Sequence, residues 1–206
     1  MMVVLSSCFK EPKPEPVGEA KIRFVNAVPG SPQDVYYNGT KMGIAPLGYA
    51  QFSGYQTIES GPGFFGFADQ GNTTGNYQGS IGVKIGDNIT SFYFKTLQGD
   101  VNVGFTSDDM TAPPSGKARV RFIHLNQFLN NSFAVAVEGG ADIVSQVAFG
   151  NSSSYFNVDP GTKFLVKATG VPNTVFDANL VAGKIYTIWF DGTLATELNG
   201  HVLQKN

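Results

Sequence analysis

The stretch Gly61-Pro62-Gly63-Phe64-Phe65-Gly66 satisfies G-x-G-x-x-G, the glycine pattern that lets a backbone approach a dinucleotide pyrophosphate. That chemistry needs a helix directly after the glycines, whose N-terminal amides meet the phosphates. The next residues, Phe67-Ala68-Asp69-Gln70-Gly71-Asn72, have no helical character, so no dinucleotide cofactor is expected. The chain has two histidines, His124 and His201. His124 shares strand parity with Val120 and Phe122 and is expected to be hydrogen-bonded at a core edge, in the position that Asn26 takes earlier in the chain. His201 lies near the C-terminus. There is no H-E-x-x-H, no G-x-S-x-G and no P-loop. Asp108-Asp109 and Asp87-Asn88 offer oxygens to a cation, but calcium takes about 6–8 oxygen ligands, so these pairs read as solvated loop. The expectation is a protein with no catalytic residues, no metal and no cofactor.

The aromatic residues carry the remaining chemistry, and strand parity predicts which way each one faces. In the stretch Lys184 to Phe190, Ile188 and Phe190 form an apolar face that aligns with Phe92 and Phe94 of Asn88 to Phe94. That face is assigned to the core, which turns Trp189 and Tyr93 outward beside Thr187 and Ser91. In an earlier hairpin Val35 and Tyr37 match Val135 and Val137, leaving Tyr36 on the outer face opposite Ala136. Trp189, Tyr93 and Tyr36 are therefore the candidate ligand-binding residues: an outward ring with small polar neighbours suits stacking on a sugar or a protein contact.

Positioning these rings falls to β-structure. Glycine occurs 25 times, phenylalanine 17 times and tyrosine 8 times, and short apolar runs are broken by NG, GPG, DPG and GG turns. Hydrophobic residues at 42% allow a packed core, while charged residues at 15% are too few for a disordered polyelectrolyte. A net charge of -2, with Lys and Arg scattered singly, provides no field for nucleic acid. The strand spacing predicts an all-β sandwich or barrel.

The pattern also repeats. AKIRFVN at Ala20 to Asn26 returns as ARVRFIH at Ala118 to His124, Ser53 to Ala68 aligns without a gap to Ser153 to Ala168, and Asn88 to Phe94 matches Lys184 to Phe190. Between the copies, Thr106 to Lys117 is polar and proline-containing and reads as a linker. The predicted organisation is a first sandwich over residues 20–106, a linker over 107–117 and a second sandwich over 118–206. Each has the size of an immunoglobulin-like domain, so the fold class is all-β with two tandem immunoglobulin-like β-sandwiches.

Ahead of them stands the one cysteine, Cys8, after Leu5-Ser6-Ser7. Leu5, Ser6, Ser7 and Cys8 resemble the lipobox of bacterial lipoproteins, which implies that residues 1–8 are the remnant of a signal and that Cys8 carries the lipid. Multiple acyl chains anchor firmly, at about 0.8 kcal/mol per buried methylene. Residues 9–19, with Pro12, Pro14 and Pro16 alternating with charges, read as an extended stalk of roughly 3.1 Å per residue. The expected partner on this side is a membrane and the expected location the cell envelope, as an outer-membrane lipoprotein.

The order of an opening xVRFxH strand, an Asp34-Val35-Tyr36 hairpin closing at Asn38-Gly39, a central Y-x-x-V-x-x-G segment and a closing Y-T-I strand resembles the DUF4397 domain, twice over. That resemblance implies a β-sandwich module of bacterial surface and secreted proteins and brings no established activity with it. Copy one departs from the pattern by inserting Asp69 to Gly82, and copy two by placing LNQFLNNS after His124, so copy-specific binding is expected in those two loops. The functional expectation is a non-catalytic, lipid-anchored module binding a glycan, matrix or envelope protein; the alternative is a structural subunit that pairs through its edge strands.

Overall fold

The computed structural model describes residues 16–205, so Cys8 and its lipobox residues Leu5, Ser6 and Ser7 lie outside the described residues. Among the described residues every regular element is a strand. In the first unit β1 (Glu19–Asn26), β4 (Gln56–Glu59), β7 (Asn88–Lys95) and β8 (Val101–Ser107) form one sheet in the order β4-β1-β7-β8. The strands β2 (Gln33–Tyr37), β3 (Thr40–Lys41), β5 (Gly61–Asp69) and β6 (Tyr77–Val83) form the other in the order β3-β2-β5-β6. The second unit repeats the plan. Its sheets are β12 (Phe156–Val158), β9 (Ala118–His124), β15 (Ile185–Asp191), β16 (Asn199–Gln204), and β11 (Asp142–Val147), β10 (Phe133–Val137), β13 (Lys163–Ala168), β14 (Val171–Asp177), each in that spatial order. The protein is all-β, four four-stranded sheets making two sandwich units.

Each sandwich encloses its own apolar core. Ile22, Phe24, Val35, Phe65, Phe67 and Tyr93 pack in the first, and Val120, Phe122, Phe133, Phe164, Ile188 and Phe190 in the second. Burying each such phenylalanine contributes about 1.5–3 kcal/mol. Details recur with the plan: the Phe24 amide donates to Ser53 Oγ at 3.0 Å and the Phe122 amide to Ser153 Oγ at 2.9 Å. Asn26 and His124 are both fully buried and each accepts an amide from two residues ahead, Val28 at 2.8 Å and Asn126 at 3.3 Å. His124 is thus the hydrogen-bonded core-edge residue its parity predicts, and burial lowers its pKa.

The first and seventh strands of each unit run parallel, β1 with β7 and β9 with β15. Parallel pairs are usually covered on both faces, and here the second cover is the sister unit. Val25, Phe92, Phe94, Ile123, Leu125, Trp189 and Leu203 pack together between the sandwiches. This arrangement corrects one expectation. The pairing sets Thr90 beside Arg23 and Thr187 beside Arg121, so Tyr93 corresponds to Phe190 and Phe92 to Trp189. Tyr93 therefore points into the first core, where it stacks on Phe67 at 4.9 Å. Of the two closing-strand rings the outward assignment holds for Trp189, whose outer face meets the sister unit instead of water, while Phe92 and Phe94, assigned to the core, face that unit as well.

A buried ionic cluster lies in the same interface. Asp108, expected as a solvated loop residue, is 5% exposed. Its carboxylate accepts from Arg121 Nη2 at 2.5 Å, Thr90 Oγ1 at 2.5 Å, Tyr55 OH at 2.6 Å and the Lys205 ammonium, with Arg23 Nε at 4.0 Å. Arg23 and Arg121 lie over the rings of Tyr55 and Tyr155 at 4.7 and 4.9 Å. Burial pushes the Asp108 carboxyl up, but Lys205 and Arg121 outweigh it and hold the group below its ordinary value. Burial, reinforced by Arg121, brings the Lys205 ammonium down to about 7 despite Asp108.

Linkage sets the pH dependence that results. Above about pH 7 the folded chain releases the Lys205 proton, whereas the unfolded chain keeps it to 10.5, so the unfolded state binds more protons in that window. Stability contributed by this group accordingly rises with pH from 7 towards 10, at up to about 1.4 kcal/mol per unit. Urea unfolding between pH 7 and 9.5 is expected to show that slope in the native chain and to lose it in Lys205→Met.

Candidate functional site

Of the three rings singled out by sequence, Trp189 and Tyr93 are each 2% exposed and do not reach solvent. Tyr36 does. It sits on β2 with its ring on the outer face of the β3-β2-β5-β6 sheet, and its hydroxyl donates to the Asn72 carbonyl at 3.0 Å. Across the ladder it faces Gly66, and two residues from Gly66 on the same face of β5 stands Phe64, 65% exposed. Tyr36, Gly39, Phe64, Gly66, Thr73, Gly75 and Gln78 line a groove of about 310 Å³.

Local sequence accounts for each wall. Asn38 and Gly39 adopt φ of 48° and 78°, the double left-handed pair that a two-residue hairpin turn requires. Asn38 fastens the exposed end of β5: its Oδ1 accepts the Phe64 amide at 2.9 Å, and its own amide donates to the Phe64 carbonyl at 2.8 Å. The opposite wall comes from the segment Asp69 to Gly82, the insertion in copy one. It is tied down by Asp34, whose carboxylate accepts the Gly71 amide at 2.9 Å and pairs with Lys41 at 2.7 Å. Gly66 and Gly75 leave the floor as bare backbone. The result is a slot with aromatic sides and a polar lip at Thr73 and Gln78.

Among the described residues the second unit carries no aromatic pair at the corresponding place. Pairing Val135 with Val166 and Ala136 with Leu165 places Ala136 where Tyr36 stands, Leu165 where Gly66 stands and Lys163 where Phe64 stands. A gapless alignment of the two copies instead matches Phe64 to Phe164, a fully buried core residue. The run from Val158 to Phe164 is one residue shorter than the run from Ile58 to Phe65, so the true partner of Phe164 is Phe65. That slip hides Phe64 from a reading of the sequence. The glycine motif itself is part of β5, hydrogen-bonded to β6 along its length.

Trp189 positions a different set of groups. Its indole stacks on His201 at 3.9 Å, His201 Nε2 lies 2.9 Å from Asp191 Oδ1, and the Tyr49 hydroxyl from the first unit donates to Asp191 Oδ2 at 2.6 Å. Burial, with Asp191 adding to it, raises the Tyr49 pKa, so the phenol keeps its proton and acts as a donor. Asp191 and His201 belong to no motif, and only the β15–β16 pairing brings them together.

No curated protein matches the chain. Among solved structures it is similar to the CBMbc module (family CBM26) of Amy13K from Eubacterium rectale, crystallised with maltoheptaose, at 11% identity and a TM-score of 0.28 over 91% of this chain and 97% of that one. It is similar to the Bacillus anthracis TIE protein at 10% identity and a TM-score of 0.27, covering 85% of this chain and 34% of that one. A candidate cell adhesion protein from Bacteroides eggerthii shares 12% identity and a TM-score of 0.25 over 92% and 96% of the two chains. The family described as "Domain of unknown function (DUF4397)" matches residues 20–131, the whole first sandwich and the opening strand of the second, and the chain belongs to that family.

Proposed function

We propose that this chain is a non-catalytic binding module of the cell envelope that holds a saccharide across the Tyr36–Phe64 groove. The observation that carries the reading is Phe64: a phenylalanine 65% exposed, fastened by Asn38 and set beside a second ring over a glycine floor. A sugar offers an apolar ring face and a polar rim, which matches aromatic sides and a Thr73–Gln78 lip. Both histidines are committed to hydrogen bonds within the scaffold, which supports action by binding and not by chemistry.

The wider assignment rests on sequence. Cys8 would be the lipidated residue of an outer-membrane lipoprotein, residues 9–19 its stalk, and 118–206 a second DUF4397 domain. Common strand order and the paired Ser53/Ser153 and Arg23/Arg121 contacts support the duplication. Titration of the purified protein against immobilised oligosaccharides tests the groove. Phe64→Ala is expected to weaken retention about tenfold or more while leaving thermal unfolding unchanged, since stacked aromatics contribute on the order of 1 kcal/mol beyond the area they cover. Retention equal to the native protein's would remove the groove from the function.

A further inference from the structure

A second concave site lies between the two units, on the far side of the first sandwich from the Tyr36–Phe64 groove. It is a cleft of about 170 Å³ whose walls include Tyr49 and Lys95 from the first unit and Gln127, Phe128, Asp191 and Thr193 from the second. Phe128 is 49% exposed although it belongs to a firmly held loop. Asn126, fully buried, accepts the Phe128 amide at 2.8 Å and donates to the carbonyls of Leu194 and Glu197 at 3.0 and 2.7 Å. This loop is the LNQFLNNS segment that sets copy two apart, so each of the two copy-specific loops lines a cavity.

Asp191 is the carboxylate in the lining of the cleft. Its side chain is 8% exposed, and the Tyr49 hydroxyl and His201 each occupy one of its oxygens. A carboxylate oxygen accepts two hydrogen bonds, so each retains one free direction, with the group already oriented by its partners. The carboxylate is not inherited scaffold: the β1–β7 and β9–β15 registers set Phe94 where Asp191 stands and Lys95 where Gly192 stands.

We propose that this cleft binds a single neutral sugar ring, as a second saccharide site independent of the groove on the first sandwich. The opposite charges of Asp191 and Lys95 offset each other for a singly charged ligand, which favours an uncharged polar one that hydrogen-bonds to both. A pyranose satisfies the rest: adjacent hydroxyls donate to Asp191 and accept from Lys95 and Gln127, and its apolar face lies on the Phe128 ring. The two units must both be present for the site to exist.

The chain's one tryptophan makes the test direct, because Trp189 stacks on the histidine that holds Asp191. Purified protein is titrated with the methyl glycosides of glucose, galactose, mannose and N-acetylglucosamine while Trp189 emission and backbone amide signals are followed. At least one probe is expected to give a saturable emission change together with shifts at Gln127, Phe128 and Thr193. Phe128→Ala, whose ring is exposed and whose loop stays pinned by Asn126, is expected to weaken that binding about tenfold. Asp191→Asn, with its fold checked by near-ultraviolet dichroism, is expected to abolish it. The double variant Tyr36→Ala, Phe64→Ala is expected to leave it intact, which separates this site from the groove. No saturable change with any probe, a change that survives Phe128→Ala, or one lost in the groove variant would overturn the proposal.

Discussion

Replacing Asp108 by asparagine is expected to lower the unfolding free energy by about 3–5 kcal/mol, the loss typical of breaking a buried ion pair from one side. Among the described residues Asp108 is the one carboxylate facing Arg23, Arg121 and Lys205, all of which are buried. The amide is nearly isosteric, so packing is preserved, while the charge is lost and one accepting oxygen becomes an NH2 group that faces donors. With the anion gone, two guanidiniums that cannot deprotonate stay buried beside an ammonium that can. Lys205 therefore gives up its proton more readily, and the loss should be larger at pH 6 than at pH 9. Urea midpoints at the two pH values, with an unchanged m-value, measure it. The double variant Asp108→Asn, Lys205→Met should lose less than the sum of the single changes, because removing the second charge relieves part of the first defect. Equal, small losses at both pH values would mean that the cluster is hydrated and contributes little.

Trp189→Ala is the second large effect, also about 3–5 kcal/mol. The indole is 2% exposed and touches three things at once: the apolar contact between the sandwiches, the His201 ring, and through it the Asp191 carboxylate that Tyr49 reaches from the other unit. Truncation leaves a cavity that two rigid sheets cannot collapse to fill. Trp189→Phe, which keeps a ring over His201, should recover most of the loss. Since the contact lies between units, the alanine variant is expected to broaden thermal unfolding as the sandwiches uncouple, visible as a calorimetric enthalpy above the van't Hoff value. A sharp, unshifted transition would show that Trp189 is dispensable to the joint.

Whether a strand is legible in the sequence depends on whether it shows two different faces. β2 does, with Val35 inward and Tyr36 outward, and the structure agrees with its parity. β7 and β15 do not, because both of their faces are covered, and a run such as IYTIWF offers no alternation from which to set parity. An alignment one residue out then sends Tyr93 to the wrong side. The same one-residue error at the turn before β13 matches the exposed Phe64 to a core phenylalanine. Asp108 escapes the sequence for a different reason: its partners Arg121, Thr90, Tyr55 and Lys205 are supplied by four separate strands and segments that only the packing of the two units assembles. By contrast, the two departures from the repeat, Asp69 to Gly82 and the loop after His124, are visible as sequence and do line the two cavities considered as sites.

The two buried clusters explain why such a scaffold suits binding. Interface packing uses up Trp189, Phe92 and Phe94, aromatics that would otherwise be sticky, and leaves Phe64 as the most exposed aromatic ring among the described residues. Lone hydrophobics on a surface need no explanation, but a ring fastened by hydrogen bonds on both sides of its own peptide, beside a second ring, is a built feature.

The most direct measurement is amide chemical-shift mapping of the isotopically labelled protein with the oligosaccharide that binds best in the immobilised-sugar titration. A saccharide held in the groove predicts shifts centred on Phe64, Gly66, Thr73, Gly75 and Gln78, abolished by Phe64→Ala. Shifts confined to edge strands such as β14, or none at any of these five positions with every oligosaccharide tried, would contradict the groove and favour assembly through strand pairing instead.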